Sequence, residues 1–131
     1  MQESSFKNEK YYVSVTSLVL TNALVTPKFM FYTIPAFRAA LTTPGNLYSN
    51  LTSYKSLKVT ITVWEDKEKM RNYYRGNAHA SAMKQLKSIS SYSKFHGYFT
   101  DEMPSDSTAI QMLLKYGRRV HGDPNPDYGD E

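Results

Sequence analysis

The 131-residue chain contains no cysteine, so disulfides, thiol nucleophiles and cysteine metal sites are excluded. Glycine is also sparse, at six residues, and GxxxxGK(S/T), GxGxxG and GxSxG are all missing. P-loop, dinucleotide and serine-hydrolase chemistry are therefore not expected. No HxH, HExxH or carboxylate-rich group surrounds any of the three histidines, which argues against a dedicated zinc or non-haem iron site. No stretch approaches the ~18 uninterrupted apolar residues of a membrane span. The opening MQESSFKNEK lacks the basic flank, apolar run and small-residue cleavage site of a signal peptide. The expectation is a soluble, cytoplasmic protein with no membrane partner.

What is present is one domain's worth of chain with 40% hydrophobic residues, 11 tyrosines and a single tryptophan. The net charge of +4 hides an asymmetry, because Asp123, Asp127, Asp130 and Glu131 place four of twelve acids near the C-terminus. Residues 1–120 carry 16 basic and 8 acidic groups, a net +8. Such a body could attract nucleic acid or an anionic ligand. Its basic residues are scattered rather than clustered, however, so a nucleic-acid partner is not expected.

The organising stretch is Leu57–Leu86. From Leu57 to Trp64 the residues alternate, with Leu57, Val59, Ile61 and Val63 on one side and Lys58, Thr60, Thr62 and Trp64 on the other, which is a strand pattern. Glu65, Asp66 and Glu68 suit a helix N-terminus. Gly76-Asn77 breaks the helical pattern, and Asn77 is the expected N-cap of a second helix running from Ala78 to about Ser90. Upstream, Lys10–Leu20 reads as a strand and Pro27–Thr42 as a mostly apolar helix in which Pro35 predicts a kink or a new start. After a Pro44-Gly45-Asn46 turn, Leu47–Tyr54 pairs with Leu57–Trp64 as a hairpin. Lys94–Thr100 is a final strand and Ser105–Tyr116 an appended helix.

Strand, helix, strand, strand, helix, strand is the order of an α+β, ferredoxin-like split βαβ arrangement, with an antiparallel sheet carrying its two helices on one face. Residues 1–9 read as a flexible arm, 10–120 as the domain and 121–131 as an acidic flexible tail. The opposite face, assigned Trp64, Tyr48 and the first strand, is too apolar to face water. A second copy in a two-fold homodimer is the expected cover.

His79 is the most informative polar residue, because it shares a helical arc with Ala78, Ala82, Met83, Leu86 and Ile89. An inward histidine can ligate a metal or haem, carry protons, or simply pack as a satisfied core residue. His96 and His121 carry weaker signals. Trp64 either borders a cavity or fills the barrel. The tyrosines, Tyr48 and Tyr74 among them, can line a cavity or serve as amphipathic strand and helix residues. Arg38, Arg71 and Arg75 can reach an anionic ligand or lie solvated along their helices.

Residues PGNLYSNL and LKVTITVWEDKEKMRNYYRGNAHASAM resemble the dimeric α+β barrel proteins related to antibiotic-biosynthesis monooxygenases, and within them the spheroidene monooxygenase-like branch. The resemblance rests on Pro44-Gly45, Val63-Trp64, Glu65-Asp66, Tyr73-Tyr74 and Ala78-His79, and it spans roughly residues 10–100. It implies a homodimer with a cavity between sheet and helices, and a small hydrophobic or aromatic ligand. Some relatives are cofactor-free oxygenases and others bind or degrade haem. By position, His79 is then the proton-transfer residue, or the haem ligand if haem is bound, and Trp64 and Asn50 are cavity residues. SYSKFHGYF lacks the acidic, tryptophan-containing ending of the carotenoid enzymes, which argues against a carotenoid substrate. The alternative is a non-catalytic ligand-binding or structural dimer of the same fold.

Overall fold

The computed structural model describes residues 9–130. Most of the expected arm, residues 1–8, lies outside the described residues, as does Glu131. Five antiparallel strands form one sheet in the order β2-β3-β1-β4-β5. They are β1 (Tyr11–Leu20), β2 (Asn46–Tyr54), β3 (Leu57–Trp64), β4 (Ser90–Thr100) and β5 (Arg118–His121). Between them run α1 (Thr26–Thr42), α2 (Lys67–Tyr74), α3 (Asn77–Ser88) and α4 (Asp106–Tyr116), with short 3-10 turns at Ala23–Val25 and Pro126–Tyr128. The arrangement is the ferredoxin-like α+β fold.

Local chemistry accounts for most boundaries. Asp66 caps α2 by accepting from the Lys69 N–H at 2.9 Å, and Ser105 caps α4 through the Thr108 N–H at 3.1 Å. One boundary expectation is corrected and one of two alternatives at another is removed. Asn77 is the first residue of α3 rather than its cap, a place taken by extended Gly76 with no side-chain cap bond. Pro35 lies inside an α1 that neither ends nor restarts there. Its ring costs the carbonyl four residues earlier a donor, a loss tolerable where Phe31 and Pro35 face outward.

Strand register divides the sheet residues between two faces. Tyr12 pairs with Trp64, Ser14 with Thr62, Thr16 with Thr60 and Leu18 with Lys58, and all of these point toward α1, α2 and α3. Val13, Val15, Leu57, Val59, Ile61 and Val63 point the other way, against Ala109, Ile110, Leu113 and Leu114 of α4 and Tyr128. Each of these six strand residues is no more than 1% exposed within a single chain.

That burial revises the expectation of how the second face is covered. Trp64 is not on it, and the apolar strand residues are covered by the chain's own α4 and C-terminal segment, not left for a second copy. The segment expected as a flexible tail is docked. Lys94, 2% exposed, donates to Leu114 O at 3.1 Å, Tyr128 O at 2.6 Å and Asp130 Oδ1 at 3.0 Å. Asp130 Oδ2 accepts from Tyr92 Oη at 2.6 Å and the Asn125 N–H at 2.9 Å. A buried ammonium is stable only when so fully partnered. Burial would raise the Asp130 carboxyl, but the Tyr92, Asn125 and Lys94 hydrogen bonds and the Lys94 charge outweigh it and hold the carboxyl below its ordinary value.

Candidate functional site

The face beneath α1–α3 encloses a cavity of about 600 Å³. Its floor is the row of Ser14, Thr62, Thr16 and Thr60, its roof Phe29, Thr33, Ala36, Phe37 and Ala40 of α1, and its flank Ala82, Met83 and Leu86 of α3. The cavity is therefore apolar above and hydroxyl-lined below. This is the usual composition of a small-molecule site, in which a few polar groups orient an otherwise apolar ligand. Thr33, on the α1 roof, has a buried hydroxyl oxygen without a partner, a free donor or acceptor in the cavity wall.

The inner end is closed by aromatic packing. Trp64 is 0% exposed, donates from Nε1 to Thr62 Oγ1 at 2.8 Å, and stacks on Tyr73 at 5.6 Å between centroids. Tyr73 donates to Ala36 O at 2.9 Å, and burial pushes its hydroxyl well up. Tyr12 packs edge-on against Phe99 at 4.9 Å in space left by Gly97, where an added Cβ would come within 2.0 Å of Tyr12 Oη. That contact explains why a glycine sits in the middle of β4.

Tyr74 and His79 form the wall in front of this plug. Arg75 closes α2 and the single extended residue Gly76 leads straight into α3, so that the two rings meet across the break. They stack at 4.3 Å with 9° between planes, and the His79 ring also meets Tyr73 edge-on at 5.0 Å. Tyr74 Oη and Ser14 Oγ share a 2.5 Å hydrogen bond. Burial pushes the Tyr74 hydroxyl up to about 12, despite the lowering effect of Ser14. Burial lowers the His79 imidazole. At neutral pH the pair is thus a neutral imidazole, able to accept a proton, against a neutral phenol, able to donate a hydrogen bond.

Of the sequence-derived candidates, the structure brings His79 and Tyr74 together on the cavity wall. Trp64 lies behind Tyr73 and fills the barrel end rather than bordering the cavity. Tyr48 and Asn50 sit on the far face. There they donate to Asp106 Oδ1 at 2.9 Å and Oδ2 at 2.6 Å, fastening the start of α4 to β2. The alternation of β2 placed them together but gave no sign of a partner 56 residues later. Arg38 is exposed on α1 and does not reach the cavity. His96 is on the α4 face, stacked on Tyr98 at 5.4 Å. The sequence reading missed the hydroxyl floor, whose signal was present in the alternating Ser14, Thr16, Thr60 and Thr62.

Among the described residues there is no group of three or more His, Cys, Asp or Glu able to hold a metal. A haem-ligating histidine ordinarily anchors its second ring nitrogen on an acceptor. His79 has no hydrogen-bond partner among the described residues and lies flat on Tyr74, so these residues do not fit a haem ligand set. No described helix is long and apolar enough to cross a membrane.

No protein-family model and no curated protein sequence matches the chain. Solved structures do match in fold. A Nitrosomonas europaea protein provisionally assigned as an antibiotic biosynthesis monooxygenase superposes with a TM-score of 0.64 at 11% identity, over 70% of this chain and 91% of its own. SnoaB, a cofactor-independent oxygenase of Streptomyces nogalater, in a single-site mutant, gives 0.61 at 15% identity, over 74% of this chain and 99% of its own. A conserved Methanosarcina mazei protein gives 0.64 at 11% identity, over 73% and 98%. The chain shares the fold of these antibiotic-biosynthesis-monooxygenase-like structures. These likenesses carry the fold and no particular branch of it.

Proposed function

We propose that this chain binds a small hydrophobic or aromatic molecule in its cavity and oxidises it with O2, without a cofactor. The observation that carries the reading is the neutral His79 imidazole stacked on Tyr74 at the wall of an apolar cavity. An acidic substrate C–H or O–H lying against that wall gives its proton to His79. The phenol of Tyr74, or the Ser14 hydroxyl, then donates a hydrogen bond to the substrate oxygen where negative charge collects. The substrate anion supplies the electrons that reduce O2. One oxygen atom stays in the product and the other leaves as water, with two substrate hydrogens lost in the exchange. The Trp64–Tyr73 plug and the α1 roof keep bulk water from the anion. One chain builds all of the walls named here, so the reading does not depend on a second copy.

A non-catalytic binding module is the second reading, favoured by the Tyr74–Ser14 hydrogen bond, which commits one of the two hydroxyl donors to the protein itself. Oxygen uptake with a panel of polycyclic phenols and activated aromatic ketones separates the two. The expected result is uptake that falls on His79→Gln and on Tyr74→Phe while binding persists. Binding without uptake across the panel would leave the binding module. An absorption spectrum with added haem completes the test, because a Soret band lost in His79→Ala would overturn the cofactor-free reading.

A further inference from the structure

We propose that the ligand of this cavity is an amphipathic acid, held by its anionic group at a cationic mouth and extending its apolar body inward toward His79. The proposal rests on the cavity being the binding site and names the chemistry of what enters. Four cations from distant parts of the chain line the cavity: Lys58 of β3, at the far end of that strand from Trp64, Lys84 and Lys87 toward the C-terminal end of α3, and Arg118 of β5. No aspartate or glutamate among the described residues borders the cavity. The ion pairs among the described residues use Arg71 and Arg75 with Glu68, and Lys94 with Asp130, so none of the four has an acidic partner among the described residues. Lys94 also borders the cavity, but its ammonium is committed to Asp130 on the other face of the sheet.

Several cations without acids along an apolar cavity raise the local potential and concentrate anions there. Three of the scattered lysines and Arg118 thus line one cavity, which the sequence pattern had hidden. The strand geometry also sets a length. Lys58 and Thr62 lie on the same face of β3, four residues apart, which is about 13 Å along a strand. An acid group at Lys58 therefore leaves an apolar body of roughly that reach to arrive beneath Tyr74 and His79. The hydroxyl floor and the unpartnered Thr33 along the way accept polar substituents. The inner end offers only neutral groups, which directs the charge outward.

The test measures calorimetric binding of decanoate and of uncharged decanol to the intact protein, to a Lys58→Met, Arg118→Met double variant, and to Ala82→Leu, which narrows the cavity. Circular dichroism confirms that each variant is folded, with Met83→Trp as a second narrowing variant. Decanoate is expected to bind the unaltered protein at least about tenfold more tightly than decanol, with only the decanoate affinity falling as salt rises. The double variant should lose that preference and keep decanol binding, whereas the narrowed variants should weaken both. Equal binding of acid and alcohol by the unaltered protein, or a preference that survives in the double variant, overturns the acid while leaving the cavity as the site. Absence of binding by both ligands, or indifference of both to narrowing, overturns the cavity reading and this proposal with it.

Discussion

The two faces of this sheet are made from the same three central strands and are built for opposite ends. On one, Val13, Val15, Val59, Ile61 and Val63 meet α4 with no space left, and every one is fully or almost fully enclosed. On the other, the register partners between them are Ser14, Thr16, Thr60 and Thr62, and the helices above stand off to leave about 600 Å³. Alternating hydroxyls with β-branched aliphatics lets one strand serve a core and a cavity at once. Packing density carries the stability of the first face. The second tolerates a void because its inner end is closed by Trp64, Tyr73, Met70 and Tyr12.

The contrast can be broken most severely at that plug. Trp64→Ala should cost ~3–5 kcal/mol in denaturant unfolding, because a fully buried ring with a satisfied N–H is removed beside an existing void. A loss near zero would mean that the cavity end is not sealed there. Next in size, Asp130→Asn should cost about 3 kcal/mol by leaving the buried Lys94 ammonium without its counter-charge. Because the native Asp130 carboxyl is held below its unfolded value, its contribution is present above the unfolded carboxylate pKa and is lost as pH falls through the lower native one. Asp130→Asn should therefore flatten the acid limb of a stability–pH curve, and an unchanged limb would remove the clasp.

A smaller effect compares the faces directly. Leu113→Ala on α4 should cost ~2–5 kcal/mol, whereas Leu86→Ala, whose side chain already borders open space, should cost about 1 kcal/mol or less. Equal losses would show that the cavity collapses around its wall. The smallest effect belongs to His79. Burial lowers its native pKa, so the unfolded chain takes up the proton first, and stability declines as pH drops below the unfolded imidazole value of about 6.5. His79→Gln should reduce that decline, with His96, which burial also lowers, carrying the rest, read from melting temperatures between neutral and mildly acidic pH.

Element order, the hairpin, the acidic start of α2 and the inward set of His79 were all legible, because periods of two and of 3.6 are local properties. What was not legible is pairwise and distant. Nothing near Tyr48 or Asn50 announces Asp106. Tyr128, alone among prolines, glycines and acids, does not look like an anchor until Tyr92 is placed 5.1 Å away. Lys94 sits in an alternation of Tyr92, Lys94, His96 and Tyr98 that faces inward, and only its three oxygen partners make that position tenable. Trp64 was assigned to two faces at once, and the register with Tyr12 decides between them.

The clasp at Lys94 has a consequence for how the native state opens. Its ammonium holds a helix carbonyl, a turn carbonyl and a carboxylate that come from three points of the C-terminal segment. Releasing Asp130 alone leaves the buried ammonium without its counter-charge, and releasing either carbonyl leaves it one acceptor short, so partial fraying gains little. Amide hydrogen exchange should then show the last turn of α4, β5 and the Pro126–Tyr128 turn exchanging together, as a single cooperative unit separate from the central strands. In that transient state the part of the valine-rich side beneath Leu113, Leu114 and Tyr128 is uncovered, an apolar surface through which this chain would first self-associate under mild acid.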